Sequence, residues 1–130
     1  GIAAGADNTL LISKNIEINS GRLSPSVERT SSDKQELNTA LTSDDVYGSV
    51  IMHDVVVNAN AIIGDNCIIN TKSIIEHGTN IGNHCHISTN VVINGDVDVG
   101  DCSFIGSGSV TKEGIRINDN FFAKAGSIIK

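Results

Sequence analysis

The sequence predicts an all-β protein, a parallel β-helix built from six-residue repeats and preceded by a short irregular segment. From residue 51 onward, every sixth position lies in one unbroken register, and twelve of its fourteen residues are Ile or Val. The register consists of Ile51, Val57, Ile63, Ile69, Ile75, Ile81, Ile87, Ile93, Val99, Ile105, Thr111, Ile117, Ala123 and Ile129. A period of six fits neither an amphipathic helix nor an alternating strand, but it is typical of β-helices with one short strand per repeat.

The other positions of the hexad agree with a narrow triangular prism. Four residues after each aliphatic comes a mostly small residue, such as Ala61 or Ser73, which fits beside the core near a corner. Three hexads form one coil, so residues 18 apart should stack at about 4.8 Å. The residue directly after the aliphatic is often Gly or Asn, and we expect it to supply the positive φ that sharp corners require. Residues 51–130 then form a little over four coils.

The N-terminal third does not carry the hexad. Gly1–Gly5 begins like a buried strand, and Leu10–Ile18 fits either a short helix or a strand. Ser24–Asp45 is rich in Ser, Thr, Asp and Glu and reads as a loop or linker. We therefore expect an incomplete α/β segment over residues 1–44 and the β-helix over residues 45–130. Both ends look truncated, so we expect the functional protein to be longer.

Composition excludes several classes of function. The net charge of −6, the low aromatic content and the absence of a basic stripe argue against nucleic-acid binding. No apolar run is long enough to span a membrane and no secretory signal is visible, so we expect a cytoplasmic protein without a membrane partner. Cys67, Cys85 and Cys102 are too few for a disulfide framework. Cys67 and Cys85 should stack as reduced core thiols, with a disulfide between them as the alternative.

His77 is the first candidate catalytic residue. It occupies a solvent-facing slot of the hexad, in a column with Ala59, Gly95 and Glu113. A neutral histidine on a rigid wall suits a general base near neutral pH, and a nearby carboxylate would orient its ring. The alternative is a surface histidine without a role.

His86 is the second candidate, nine residues after His77. Its column continues with Ile68, Phe104 and Phe122, which predicts a partly apolar strip along which a thioester-bearing cofactor would lie. The alternative is a packed histidine that donates to a backbone carbonyl.

Three nearby histidines raise the question of a metal. His77, His84 and His86 occupy different positions around the coil, so they need not converge within one chain. The ligand spacing of the γ-class carbonic anhydrases, a histidine pair five apart after a distant first ligand, is not present. We therefore expect no catalytic metal, and a metal-dependent hydratase of that type is kept as a minor alternative.

Residues 68–129 resemble a known family. The stretches INTKSIIEHGTNIGNHCHIS, GDVDVGDCSFIGSGSV and INDNFFAKAGSII are similar to one branch of the left-handed β-helix acyltransferases. That branch comprises the bacterial sugar acetyltransferases that modify sialic acid at oxygen and UDP-4-amino sugars of the bacillosamine pathway at nitrogen. The match covers about half the chain without gaps. It also supplies the handedness of the predicted β-helix, which the spacing alone does not.

The resemblance implies an acetyl-CoA-dependent homotrimer with active sites between subunits, acting on a sugar or nucleotide-sugar acceptor in surface polysaccharide biosynthesis. His77 matches the family's catalytic base, with Glu76 beside it as a second catalytic candidate. His86 matches the histidine that contacts acetyl-CoA, and Asn70 matches an asparagine near the acceptor sugar. The resemblance implies direct transfer from the thioester, to either a hydroxyl or an amino group. The positions that match the coenzyme groove are Gly95, Ser107 and Ala125.

The chain departs from the family at several points. Gly78 stands where the family commonly carries an acidic residue after the catalytic histidine, and Glu76 should point the other way along the strand. The glycine-rich loop that opens the family's nucleotide-binding domain is absent, and only GIAAGADN resembles a part of that domain. The Gly- and Pro-rich tail that follows the family's last coil is also missing. A non-catalytic trimeric scaffold is therefore the main alternative to the acetyltransferase.

Overall fold

The computed structural model describes residues 48–130 in full and, before them, only the backbones of four short strands. These four strands are β1 (Ile2–Ala3), β2 (Leu10–Ile12), β3 (Ile16–Ile18) and β4 (Val27–Arg29).

Residues 48–130 form a parallel β-helix whose strands recur every six residues. Successive strands rotate among three sheets, so each strand pairs in parallel with the strand 18 residues later, as Asn80 does with Asp98. Face A contains β7 (Ile62–Ile63), β10 (Asn80–Ile81), β13 (Asp98–Val99) and β16 (Arg116–Ile117). Face B contains β6 (Val56–Val57), β9 (Ile74–Ile75), β12 (Val92–Ile93), β15 (Val110–Thr111) and β18 (Ile128–Ile129). Face C contains β5 (Ser49–Ile51), β8 (Ile68–Ile69), β11 (His86–Ile87), β14 (Phe104–Ile105) and β17 (Phe122–Ala123).

This architecture confirms the predicted all-β fold class, with no helix among the described residues. All fourteen positions of the hexad register point inward, and most are entirely buried, as Ile63, Ile75 and Ile87 are. The small residues four positions later complete the core. Their hydroxyls are satisfied, since Ser73 Oγ donates to the Ser88 carbonyl at 2.7 Å and Thr79 Oγ1 to the Asn94 carbonyl at 2.9 Å.

The residues with positive φ at the corners occupy a different position of the hexad from the one predicted. Positive φ falls three residues after the inward aliphatic, at Asn66 (φ 52°) and Gly78 (φ 65°) among others, and not directly after it. The expectation for the Gly and Asn slot is therefore wrong, because the left-handed residue is the second of the two turn residues. Gly64 and Gly100 are needed for space. A Cβ at Gly100 would lie 2.5 Å from the Asp119 nitrogen in the next coil.

The N-terminal strands run antiparallel along the first coil. β1 pairs with β7, β2 with β6 and β3 with β5, so the chain retraces that coil in the opposite direction before entering it. β4 pairs antiparallel with β2, which corrects the expectation of a loop or linker throughout Ser24–Asp45. The sequence allowed a short helix or a strand over Leu10–Ile18, and the structure has two strands there, β2 and β3. The assignment of residues 1–44 to a separate domain remains a prediction, because the rest of that segment lies outside the described residues.

The two stacked cysteines are buried free thiols, as expected. Cys67 Sγ contacts the Gly82 carbonyl at 3.1 Å, and Cys85 Sγ contacts the Gly100 carbonyl at 3.2 Å. The contact with Cys85, together with burial, raises the pKa of the Cys67 thiol. Cys67 therefore stays protonated and serves as a small core residue.

Replacing Gly100 by Ala tests whether this position requires glycine because the next coil approaches closely. The new Cβ would meet the backbone of residues 118 and 119, so we expect unfolding free energy to fall by about 2–3 kcal/mol. Gly114→Ala is the matched control, because Gly114 has φ +68° but no atom within 4 Å, and its cost should be about 1 kcal/mol. Urea titration of both variants gives the comparison. Equal costs would mean that close approach does not determine the Gly100 position.

Candidate functional site

His77 lies at the corner between faces B and A, where the chain leaves β9 and enters β10. Its imidazole lies directly over Gly95, the residue one coil further along the same column. A Cβ at Gly95 would stand 2.5 Å from His77 Cε1 and 2.6 Å from Nε2. Gly95 is buried and His77 is exposed, so the glycine forms a floor on which the ring can rest.

Asp96 provides the carboxylate next to this ring. Its Oδ1 lies 4.0 Å from His77 Nδ1, and the two side chains are 64% and 60% exposed. The Asp96 amide donates to the His77 carbonyl at 2.9 Å, which fixes the two corners against each other. Asp96 stacks under Gly78, and a Cβ at Gly78 would collide with its carboxylate. We refer to His77, Gly78, Gly95 and Asp96 as the histidine seat.

Sequence reasoning missed Asp96, although a signal was available. In the family that the sequence resembles, an acidic residue commonly follows the catalytic histidine directly, at the position of Gly78. Asp96 lies 18 residues after Gly78, which is one coil further in the same column. A search for acids in register with Gly78, in addition to those in register with His77, would have found it.

The two carboxylates considered from the sequence lie elsewhere. Glu76 Oε2 accepts a hydrogen bond of 2.6 Å from Asn58 Nδ2 in the preceding coil. Glu113 is exposed and lies two coils from His77 in its column, beyond Gly95. The carboxylate that contacts the His77 ring is that of Asp96 instead. A catalytic role for Glu76 remains a prediction.

His86 lies on face C in the predicted column. It is half-buried in β11, with Ile68 before it and Phe104 and Phe122 after it. The His86 and Phe104 rings meet edge to face at 5.2 Å, and the Phe104 and Phe122 rings stack at 5.2 Å with 15° between their planes. Phe122 is 71% exposed. These four residues form what we term the aromatic strip, a partly apolar surface along the coil axis.

Asn70 meets His86 at one edge of the aromatic strip. The Thr71 amide donates to Asn70 Oδ1 at 2.8 Å, which directs Nδ2 toward His86 Nε2 at 3.5 Å, the outer limit for a hydrogen bond. Burial lowers the pKa of His86, so its ring is neutral near pH 7 and Nε2 can accept. The structure thus brings together the predicted acceptor-site residue and the predicted coenzyme-site histidine, and the ring contacts an amide rather than a backbone carbonyl.

Ser107 and Ala125 lie one above the other at the corner between faces C and B. Both are exposed, and the Gly126 amide donates to the Ser107 carbonyl at 2.8 Å. Ser107 Oγ also forms a hydrogen bond of 2.8 Å with Ser88 Oγ. This corner therefore offers a smooth column of small side chains next to the aromatic strip.

The histidine seat and the aromatic strip do not meet within one chain. His77 is at one border of face B, and His86 lies on face C beyond the opposite border. Face B stands between them, and the outward residues of its strands β6, β9, β12, β15 and β18 are aliphatic, among them Ile74, Val92 and Val110. Face A is more polar, with Asn80, Asp98 and Arg116 exposed. The candidate residues thus border an apolar face.

Metal ligands do not converge in the part of the chain that the structure describes. No group of three His, Cys, Asp or Glu side chains there could hold an ion. His84, the third histidine of the metal alternative, is exposed at a positive-φ corner. The same residues include no helix that is long and apolar enough to cross a membrane.

The repeats match two family models. Residues 78–113 match the model described as bacterial transferase hexapeptide (six repeats), and residues 60–94 match the hexapeptide repeat of succinyl-transferase. Together the two models match residues 60–113, so this part of the chain is similar to the hexapeptide repeats of bacterial transferases. No curated protein sequence matches the chain significantly.

Solved structures of the acetyltransferase domain of PglB from Neisseria gonorrhoeae FA1090 are similar to this chain. One has 29% sequence identity and a TM-score of 0.64, covering 65% of this chain and 42% of its own. A second, in complex with acetyl coenzyme A, has 28% identity and a TM-score of 0.63, covering 68% of this chain and 44% of its own. The chain thus spans less than half the length of the structures it matches.

The lowered pKa of His86 predicts a pH-dependent contribution to stability. Because folding disfavours the protonated ring, the unfolded chain binds more protons once pH falls through about 6.5, and stability then decreases. We expect His86→Gln to lose less stability than the parent between pH 8 and pH 5, measured by urea unfolding. His84→Gln, at an exposed position, is the control and should follow the parent. Parallel curves for the parent and His86→Gln would contradict the burial effect.

Proposed function

We propose that the protein is an acetyl-CoA-dependent acetyltransferase that acylates a hydroxyl or amino group of a sugar or nucleotide sugar. The observation that carries the proposal is the exposed His77 imidazole, held over Gly95 and beside Asp96. Its chemical context is a transferase-type repeat and a fold shared with an acetyltransferase domain that binds acetyl coenzyme A. The sugar acceptor and an acceptor-binding role for residues 1–44 are parts of the proposal that rest on the sequence resemblance. The proposed cytoplasmic location rests on the sequence, which shows no long apolar run and no secretory signal.

A homotrimer would bring the separated groups together. His77 and His86 border face B on opposite sides, so they can meet only if the corner of one subunit faces the aromatic strip of another. Face B and the aromatic strip also expose apolar side chains, with Ile128 at 75% and Phe122 at 71%. Association of three subunits through these surfaces would bury them and place one site at each interface.

Acetyl-CoA would lie along the aromatic strip and the small-residue corner. The neutral His86 is positioned by Asn70 to contact the thioester end. Exposed Ser107 and Ala125 would leave room for the pantetheine arm, and their backbone would contact it. Gly95 lies beneath His77, so it would serve the site by seating the base and through its own backbone. Asn70, at the junction, is the candidate for contact with the acceptor.

The reaction is direct transfer of the acetyl group. His77 takes the proton from the acceptor O–H or N–H while the acceptor oxygen or nitrogen attacks the thioester carbonyl carbon. The new C–O or C–N bond forms, the C–S bond breaks, and CoA leaves as the thiol after receiving the proton. Positioning of acceptor and thioester at one interface supplies much of the rate acceleration, and no covalent enzyme intermediate is required.

Titration of the protein with acetyl-CoA, together with its mass in solution, tests the coenzyme assignment and the trimer. We expect a trimer that binds acetyl-CoA with micromolar affinity and His86→Ala to weaken binding at least about tenfold, equivalent to about 1.4 kcal/mol. His84→Ala, an exposed neighbour, should bind like the parent. A folded trimer without acetyl-CoA binding would support the non-catalytic scaffold instead.

Replacing His77 tests the base. His77→Ala should lower kcat by about 10²–10⁴-fold, the usual contribution of a positioned base, and leave acetyl-CoA affinity nearly unchanged. CoA thiol release in the presence of amino sugars and sialic acids measures the rate. His84→Ala again serves as the control. Full activity of His77→Ala would remove His77 from the mechanism.

A further inference from the structure

We infer that Asp96 is a positioning residue for His77. It supplies the carboxylate that is missing at position 78, where the chain carries glycine. The inference rests on the proposed function, because it assigns Asp96 a role in preparing the proposed base. Asp96 acts through the imidazole and needs no contact with the acetyl group or the acceptor.

Gly78 and Asp96 are complementary in the space they occupy. Both residues have positive φ, 65° and 57°, and occupy equivalent corners of successive coils. The Asp96 carboxylate reaches back into the volume that a side chain at position 78 would fill. Any residue larger than glycine at 78 would therefore displace it. The glycine at position 78 and the acid at position 96 are therefore complementary parts of one arrangement.

Gly95 determines where the His77 ring lies. Because Gly95 has no side chain, the imidazole can approach the backbone of the next coil, the coil that carries Asp96. This brings Nδ1 within 4.0 Å of Asp96 Oδ1. A small rotation of either side chain then gives an N–H to carboxylate hydrogen bond. With its proton on Nδ1, the ring presents an unprotonated Nε2, the atom that a general base uses.

The other acidic side chains considered for His77 are placed elsewhere. Glu76 is bonded to Asn58, and Glu113 lies two coils away. An ion pair between two side chains that are 60% and 64% exposed adds little to stability. Asp96 is thus placed to select the tautomer and orientation of His77, without being needed to hold the fold.

The test combines a spectroscopic and a kinetic measurement on the full chain. Histidine labelled with ¹⁵N reports which ring nitrogen of His77 carries the proton, with the signal assigned through His77→Gln. We expect the Nδ1–H form to dominate in the parent and Asp96→Asn to lose this preference. In the same variant kcat should fall about 10- to 100-fold, part of the contribution of a positioned base, while KM for acetyl-CoA stays within about twofold.

Three further variants make the result specific to Asp96. Asp96→Glu keeps the charge and should recover part of the tautomer preference and of kcat. Gly78→Ala should displace the carboxylate and reproduce the tautomer change of Asp96→Asn. Asp98→Asn is the matched control, because it removes an exposed carboxylate two residues away on face A, and it should match the parent in every measurement.

An unchanged tautomer in Asp96→Asn would overturn the inference, whatever the activity. A fall in kcat accompanied by a lower melting temperature, without a tautomer change, would show a structural role and would also overturn it. Failure of the proposed function gives a different pattern. The parent would then bind no acetyl-CoA and release no CoA, or His77→Ala would be as active as the parent, while the tautomer measurement would still decide whether Asp96 positions the ring.

Discussion

Every position in this β-helix depends on the stacking of successive coils at intervals of 18 residues. Parallel strand pairing fixes the backbone of each coil on the one before it, so each side chain has a neighbour determined only by register. The core is one consequence, since inward aliphatics stack on inward aliphatics. The candidate site is another, because His77 rests on the residue 18 positions later. A change of one residue in length within a coil would alter both together.

Because residues 18 apart are stacked, a glycine in one coil leaves room for a larger side chain from the neighbouring coil. Gly95 allows the His77 ring to lie on the next coil, and Gly78 leaves room for the Asp96 carboxylate. Between the two coils, a histidine and an acid are held at adjacent corners without a loop or a helix to support them. This is how a β-helix whose described strands are only two or three residues long can present groups suited to proton transfer.

Much of the fold could be predicted because a six-residue period reports burial directly. The inward positions, the column of His86 with Phe104 and the stacking of the two core cysteines all follow from counting residues. The slot of positive φ could not be obtained in the same way. Asn and Gly are frequent both where φ is positive and where the next coil approaches closely, and the pattern alone does not separate these two causes.

The site was predictable only in part, for a similar reason. Resemblance pointed to His77, but it directed attention to the residue beside it in sequence, whereas the nearest acid, Asp96, is adjacent only through the fold. The meeting of Asn70 with His86 also needed the coil geometry, since the two are 16 residues apart. The antiparallel strands before residue 30 carry no hexad, so no repeat marked their pairing with the first coil.

Those antiparallel strands have a consequence for how the molecule behaves in a crowded solution. Parallel coils present an edge with unpaired backbone groups that another chain could extend, strand upon strand, into a fibre. Here β1, β2 and β3 occupy that edge at the first coil and run against the direction that further coils would need. The first coil therefore cannot take up a further parallel coil directly, because antiparallel strands already pair with its backbone.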